Sequence, residues 1–151
     1  SNGMNVLDLV VLSGAHTIGR ARCDSIQYRL FNYTGTGEAD PSIDSKYFNY
    51  LSRRCRWDTE YVDLDGTTPT TFDAQYYKNL EEKKGLLQTD QMLYSDARTS
   101  PLVSAFADQP WLFHHQFGAS MVKLANIQVL TDQDEDGEIR TICSSINSNN
   151  Y

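Results

Sequence analysis

The sequence lacks the features that mark several common protein classes. Only three of its 151 residues are cysteines, and no two form a Cys-x-x-Cys pair, which argues against a zinc ribbon or a thioredoxin-like motif. No apolar run approaches the roughly 18 residues that a membrane-spanning helix needs. The net charge is −7, so nucleic acid and anionic membranes are disfavoured as main partners. The sequence also contains no internal repeat and no low-complexity linker.

The first residues also lack a recognisable leader. The start SNGMNVLDLV has neither a charged segment nor a signal-peptide cleavage pattern, and it enters a helical pattern at once. We therefore expect the chain to begin inside a domain. Its hydrophobic content of 40% and aromatic content of 11% argue against disorder and allow one packed core.

Apolar spacing and capping residues predict a mainly helical chain. Asn5 can cap a first helix over residues 6–15, and Gly85 can close a helix over 74–84 that follows a cap at Asp73. Further helices are predicted over residues 45–54, 90–94, 101–107 and 111–126. The only predicted strand covers residues 138–142.

The segment LSGAHTIGRARC places His16 between small residues just after the first predicted helix. One interpretation is a histidine at a helix C-terminus, where it interacts favourably with the last carbonyls. The other is a metal ligand, in which one ring nitrogen binds the metal and the other donates to an acid. The residue pattern alone leaves both interpretations open.

The segment DGTTPTTFD, residues 65–73, is a candidate calcium loop. Asp65, Asp73 and the threonines between them offer the carboxylate, hydroxyl and carbonyl oxygens that calcium binds. The same residue types are also common in ordinary loops and helix caps, so the segment alone does not decide.

A second acidic segment, DQDEDGEI, matches only the first half of an EF-hand loop. Asp132, Asp134, Asp136 and Gly137 stand at suitable positions, but Cys143 replaces the bidentate glutamate that the loop requires. A solvated acidic loop is therefore favoured here.

Five segments in order carry a resemblance to a known family: DLVVLSGAHTIGRARC, TTFDAQYYKNL, KGLLQTDQML, FGASMVKLANI and GEIRTIC. Together they resemble the C-terminal half of the secretory plant (class III) haem peroxidases, the horseradish peroxidase family. The resemblance covers essentially the whole chain. It implies that residues 1–151 form the proximal, haem-binding half of one mainly α domain, with at most a short strand or hairpin. The N-terminal, distal half of that domain would lie outside this chain.

The resemblance assigns roles to individual residues. It implies that His16 is the axial ligand of the iron of haem b and that Asp90, in GLLQTD, accepts a hydrogen bond from its imidazole. Local sequence alone favours Asp90 as the N-cap of the helix over 91–94, and its two oxygens can serve both roles. The calcium ligands implied are the side chains of Thr17, Asp65, Thr68 and Asp73 and the carbonyl of Thr71.

The resemblance also pairs Cys23 with Cys55 in a disulfide, and it gives Cys143 a partner in the N-terminal half. Asn32 begins the sequon Asn-Tyr-Thr, which indicates N-glycosylation if the protein is secreted. Secretion to the cell wall or extracellular space is expected, with the vacuole as an alternative.

The remaining histidines and two arginines have less specific roles. His114 and His115 are adjacent on a predicted helix and cannot share a metal from one face, so surface or packing roles are favoured. Arg20 and Arg22 could contact haem propionates or acidic neighbours, and the sequence does not choose.

The resemblance implies a donor:hydrogen-peroxide oxidoreductase that oxidises phenolic-type donors by one-electron steps and is monomeric when complete. The family's distal motif R-x-x-F-H-D-C is absent from this sequence, so we expect this chain alone to be inactive. The alternative is a non-catalytic, secreted, helical calcium-binding glycoprotein, or a truncated product derived from a peroxidase.

Overall fold

Helices make up most of the chain. The computed structural model describes residues 3–130 and 137–147. Within these ranges the α-helices are α1 Val6–Ser13, α2 Gln27–Phe31, α3 Ser45–Arg54, α4 Gln75–Glu81, α5 Gln88–Ser95, α6 Ser100–Asp108 and α7 Pro110–Ala125. Two three-residue strands, β1 Arg20–Arg22 and β2 Tyr61–Asp63, pair antiparallel with Ala21 opposite Val62. The prediction of a mainly α fold with at most a short strand or hairpin is therefore confirmed.

Several element boundaries differ from those predicted. The first helix ends at Ser13, and the chain continues as a tight 3-10 turn, Gly14–Thr17, that carries His16. Gly85 does not close α4: the residue after its C-cap is Lys83, which adopts the left-handed conformation with φ of 59°. The N-cap of α4 is Ala74, which has no side-chain cap, and not Asp73 as predicted; Asp73, one residue earlier, still accepts a hydrogen bond from the backbone N–H of Gln75 at 2.8 Å.

The strand predicted over residues 138–142 is wrong. Residues 137–147 contain no strand, and the Asn147 side chain instead bonds to the backbone of Thr141 and Ile139. A short segment does not form a stable strand without a partner, and none lies beside it in the ranges described. The EF-hand-like positions Asp132, Asp134 and Asp136 lie outside the described residues. Across the described ranges no helix is both long and apolar enough to cross a membrane.

Helix α1 begins with the predicted cap. Asn5 Oδ1 accepts from the N–H of Asp8, and Asp8 Oδ2 accepts from the N–H of Asn5, each at 3.0 Å. The buried Asp8 carboxylate also accepts hydrogen bonds from Ser120 Oγ at 2.6 Å and from Lys123 Nζ at 3.0 Å. The Ser120 bond, together with Lys123, outweighs burial and lowers the pKa of Asp8. This network joins the start of α1 to α7.

The larger of two apolar clusters packs α1 against α4, α6 and α7. Its buried members are Val10, Val11, Ala74, Tyr76, Tyr77, Leu80, Leu93, Val103, Phe106, Ala107 and Phe113. Tyr77 lies at its centre and donates its hydroxyl to the carbonyls of Val10 and Val11, at 3.1 and 3.2 Å. These carbonyls belong to the last turn of α1, where intrahelical partners run out, so Tyr77 satisfies them inside the core.

The second cluster surrounds a disulfide. Cys23 and Cys55 are bonded, as the resemblance implied, with their Cα atoms 5.3 Å apart. The bond closes a loop with a sequence separation of 32 residues, for which chain-entropy arguments give a stabilisation of about 3 to 4 kcal/mol. The other buried members are Ile26, Leu30, Ile43, Tyr47, Leu51, Val62 and Leu86. The disulfide thus joins the segment after the hairpin strand β1 to the end of α3.

Gly14 is expected to be intolerant of a side chain. A Cβ at this position would overlap the Tyr77 hydroxyl and lie 2.6 Å from Phe113 Cε2. We predict that Gly14→Ala lowers the free energy of unfolding by about 1 to 3 kcal/mol in urea denaturation, because the core must shift to accept the methyl group. The control is Gly118→Ala on α7, where a Cβ meets nothing within 4 Å and helix propensity adds up to about 1 kcal/mol. Equal midpoints for Gly14→Ala and the parent protein would contradict this packing.

Candidate functional site

The His16 imidazole is held by one strong partner. Its Nδ1 lies 2.9 Å from Asp90 Oδ1, and because a carboxylate only accepts, Nδ1 carries the proton. This hydrogen bond raises the pKa of His16, although partial burial of the ring opposes the shift. The side chain is 36% exposed, and Nε2 has no partner in the described part of the chain. The tautomer and the free Nε2 are those that a metal-binding histidine requires.

Asp90 is buried, and both of its oxygens are engaged. Oδ2 accepts the backbone N–H of Leu87 at 3.1 Å, while Oδ1 accepts from Tyr76 Oη at 3.0 Å and from His16. Asp90 therefore caps its helix from within the first turn, and the N-cap position itself is Leu87. The predicted position of the cap was wrong by three residues, but the capping role and the contact with His16 do coincide in one carboxylate.

The sequence analysis did not identify Tyr76. Burial and the neighbouring Asp90 raise the pKa of this tyrosine well above its usual value, so it remains a neutral hydrogen-bond donor. In the sequence it is one of two adjacent tyrosines, and no local pattern shows which of them faces position 90. Only the packing of α4 beside α5 brings its hydroxyl to the carboxylate.

An apolar surface lies next to the exposed edge of His16. A shallow cleft there is lined by Met4, Asn5, Leu9, Leu12, Ser13 and His16. Leu9 is 57% exposed although it lies on α1, whose opposite face is buried. An exposed imidazole bordered by aliphatic side chains fits a flat, largely apolar group that binds through a metal.

The Thr17 side chain points to the other side of the chain, into a group of oxygen atoms. We call this group, from Thr17, Asp65, Thr68, Thr71 and Asp73, the oxygen cluster. Thr17 Oγ1 is fully buried and lies 3.5 Å from Asp65 Oδ2, 3.5 Å from the Thr71 carbonyl and 3.3 Å from Asp73 Oδ1. Thr68 Oγ1 lies 3.4 Å from Asp65 Oδ2 and 3.1 Å from Asp73 Oδ1. The five residues predicted as calcium ligands are thus gathered around one point.

The spacing of these oxygens fits a cation better than hydrogen bonds. Hydroxyl-to-oxygen hydrogen bonds are usually about 2.7 to 2.8 Å long, shorter than the separations of 3.1 to 3.5 Å found here. Oxygens placed about 2.4 Å from a shared calcium ion at right angles would lie about 3.4 Å apart. In the described ranges no three His, Cys, Asp or Glu side chains form a metal cluster. The oxygen cluster does not meet that description, because it contains only two carboxylates, and hydroxyl and carbonyl oxygens supply the rest.

Asn79 was not predicted to belong to the loop, yet it orients Asp65. Its Nδ2 donates to Asp65 Oδ1 at 2.8 Å, and the N–H groups of Thr67 and Thr68 donate to the same oxygen at 2.7 and 3.0 Å. With Oδ1 fully engaged, Oδ2 is the oxygen left to face the cluster. Asn79 lies on α4, so the loop is fixed by the helix that follows it.

The two arginines after His16 contact acidic neighbours. Arg20 Nε lies 3.0 Å from Asp63 Oδ1 across the hairpin, and Arg22 Nε lies 3.2 Å from Asp24 Oδ2. Both pairs are exposed, and such pairs contribute little to stability. Both arginines thus have acidic neighbours, and contact with haem propionates stays a prediction.

The other predicted residues lie away from this site. His114 stacks on Phe72, in agreement with a packing role, and His115 is exposed. Asn32 is exposed on a loop, and its Oδ1 accepts the N–H of Gly37 at 2.9 Å. Cys143 is exposed and forms no disulfide with another described residue.

Comparison with known proteins agrees with the geometry. A family model described as Peroxidase matches residues 1–109. Peroxidase 7 of Arabidopsis thaliana is 60% identical over 152 residues, which cover 100% of this chain and 44% of that protein. The lignin-forming anionic peroxidase of Nicotiana tabacum is 41% identical over 97% of this chain and 47% of its own length. Peroxidase N1 of Nicotiana tabacum is 43% identical over 97% of this chain and 46% of its own length.

The chain therefore spans less than half the length of these curated relatives. The family model nevertheless matches well over half of its residues, and that match includes His16, Asp90 and the whole oxygen cluster. The chain belongs to the peroxidase family, with plant class III peroxidases among its relatives.

Proposed function

We propose that this chain forms the proximal haem side of a plant haem peroxidase. The complete protein would use hydrogen peroxide to oxidise small phenolic-type donors by one-electron steps. The observation that carries the proposal is the His16–Asp90 pair, which leaves Nε2 free beside an apolar cleft in a member of the peroxidase family.

When bound, haem b supplies the redox chemistry, and this chain's residues hold and tune it. His16 Nε2 would bind the iron, while Asp90 accepts the hydrogen bond that Nδ1–H donates and gives the imidazole partial imidazolate character. That character favours the oxidised metal and lowers its reduction potential. Tyr76 donates to the same oxygen of Asp90, so it draws negative charge away from the contact with His16.

We also propose a structural calcium ion bound by Thr17, Asp65, Thr68 and Asp73 side chains and by the Thr71 carbonyl. The separations of their oxygens support it. Among the described residues, no Lys, Arg or His side chain forms an ion pair with Asp65 or Asp73. Because Thr17 follows His16 directly, the ion would fix the turn that carries the haem ligand.

The remaining functions would belong to the rest of the domain. A distal histidine and arginine would come from the N-terminal half of the same domain, and this chain alone would not turn over. Exposed apolar side chains on α7, such as Trp111 and Val122, are suited to packing against that half. The disulfide supports an oxidising, secreted location, where Asn32 could carry a glycan and Cys143 could find its partner.

Replacement of the axial ligand is the direct test. We predict that His16→Ala in the complete protein abolishes the absorption spectrum of histidine-ligated ferric haem and peroxidase turnover. His115→Ala is the matched control, because that imidazole is exposed on α7 and belongs to neither the haem site nor the oxygen cluster, so its spectrum should stay unchanged. An unaltered Soret band and turnover in His16→Ala would instead favour the non-catalytic module.

The hydrogen bonds to Asp90 should set the reduction potential in opposite directions. Asp90→Asn should raise the ferric/ferrous potential, because a neutral amide removes the imidazolate character of His16. Tyr76→Phe should lower it, since Asp90 then keeps more negative charge for the imidazole. Both are measured by spectroelectrochemical titration of the complete enzyme. A potential in Asp90→Asn that is equal to or below that of the parent enzyme is incompatible with this role.

Asp73→Ala tests the calcium site. We predict the loss of about one calcium ion per protein by elemental analysis, a lower melting temperature and an altered haem spectrum, because the His16–Thr17 turn loosens. The control is Asp63→Ala, which removes an exposed carboxylate paired with Arg20 and should retain the full calcium content. If Asp73→Ala keeps the parent's stoichiometry and spectrum, the segment is only a capped loop.

A further inference from the structure

Arg29 is a buried charge that the proposed function leaves without a role. Its side chain on α2 is 1% exposed, and Nε donates to Asp40 Oδ2 at 2.8 Å. Asp40 is equally buried, and its Oδ1 accepts from the N–H and the hydroxyl of Ser42 at 2.8 and 2.7 Å. Burial favours a raised pKa for Asp40, but the hydrogen bonds from Ser42 and Arg29 outweigh it and lower the pKa. A buried ion pair is poor evidence of net stabilisation, so its remaining contacts are informative.

The other end of the Arg29 guanidinium holds the loop before α5. Nη1 donates to the carbonyl of Gly85 at 2.8 Å and to the carbonyl of Leu86 at 2.6 Å. The next residue is Leu87, whose backbone N–H donates to Asp90 Oδ2 at 3.1 Å. The Leu86 carbonyl and the Leu87 N–H belong to one planar peptide group, so the guanidinium holds the group that donates to Asp90 and the peptide group before it.

The same loop is held from its other side by Gln91. Gln91 Oε1 accepts the N–H of Gly85 at 3.1 Å, and Gln91 Nε2 donates to the Leu80 carbonyl at 2.8 Å. A Cβ on Gly85 would lie 2.9 Å from Leu80 Cδ2 and 3.0 Å from the Gln91 backbone nitrogen. The loop is therefore held from both sides, by Arg29 through its carbonyls and by Gln91 through the Gly85 N–H.

We propose that Arg29 is a positioning residue for His16. By holding the Gly85 and Leu86 carbonyls, it fixes the Leu87 amide, which orients the Asp90 carboxylate so that Oδ1 faces His16 Nδ1. The inference rests on the proposed haem-binding function and extends it to a residue that contacts neither His16 nor Asp90. The planar fork of arginine is required, because an ammonium group cannot reach one carboxylate and two carbonyls in fixed directions.

The decisive experiment uses the complete, haem-loaded protein and the double variant Arg29→Met with Asp40→Asn. Changing both residues avoids an unpaired buried carboxylate, which would obscure the effect by destabilising the fold. We expect a lower iron–imidazole stretching frequency by resonance Raman and a higher ferric/ferrous potential. Both shifts should be in the direction produced by Asp90→Asn and smaller in size.

A readout independent of haem is hydrogen exchange of the peptide covering residues 85–91. Loss of the hydrogen bonds from Arg29 to the Gly85 and Leu86 carbonyls should speed exchange of the Leu87 amide by about tenfold. That factor corresponds to loosening one ordinary hydrogen bond. The matched control is Leu30→Ala, because Leu30 is a buried neighbour of Arg29 on α2 whose side chain makes no hydrogen bond to the loop. Leu30→Ala should leave the potential and the stretching frequency at their parent values.

The outcomes separate this inference from the proposed function. Parent values of both haem readouts in the Arg29 variant, with Asp90→Asn shifted, overturn the positioning role and leave the haem proposal standing. A shift of equal size in Leu30→Ala overturns it as well, since the effect is then general loosening of α2. If His16→Ala and Asp90→Asn both leave the haem spectrum unchanged, the proposed function fails and this inference fails with it.

Arg29→Lys is the second variant and serves if the double variant does not fold. It keeps the positive charge near Asp40 but loses the fork, so we expect the same shifts at smaller amplitude. Parent values in Arg29→Lys would mean that charge alone suffices, and they would overturn the proposed geometry.

Discussion

The hydrogen bond between His16 Nδ1 and Asp90 Oδ1 is the contact on which the site depends, and it joins residues 74 positions apart. Neither residue can reach the other through local structure. His16 is carried on a turn at the end of α1, and Asp90 lies in the first turn of α5. The large apolar cluster must therefore bring α1 and α5 to a fixed separation before the bond can form at 2.9 Å. The geometry of the site therefore depends on the packing of the core.

The turn Gly14–Thr17 connects this bond to the oxygen cluster. His16 points towards Asp90, while the next side chain, Thr17, points into the group that contains Asp65 and Asp73. Two carboxylates facing the same buried point repel each other unless a cation or N–H donors compensate. The N–H groups around Asp65 satisfy one oxygen and leave the other turned inward. A change in that cluster therefore moves the backbone of the haem-ligand candidate through a single peptide bond.

The sequence predicted those features of the fold that depend on residues close together in the chain. The cap at Asn5 and the helical character of most of the chain follow from spacing and residue type, and the pairing of Cys23 with Cys55 followed from resemblance. We did not predict the roles of Tyr76, Asn79 and Arg29. Their partners lie far away in the sequence or in loops that have no periodic residue pattern. The strand over 138–142 was predicted from the local sequence, which says nothing about whether a partner strand exists.

The helix α1, which leads into the turn that carries His16, is fixed at both ends, and this explains why so short an element can position a ligand. At its start, Asp8 closes the capping box and reaches Ser120 and Lys123 on α7. At its end, the Tyr77 hydroxyl donates to the carbonyls of Val10 and Val11, and the N–H of Gly14 also donates to Val11. An isolated helix of this length would not persist in water, so its order comes from these contacts. The position of the imidazole is thereby set by α4 and α7, whereas its orientation is set by Asp90.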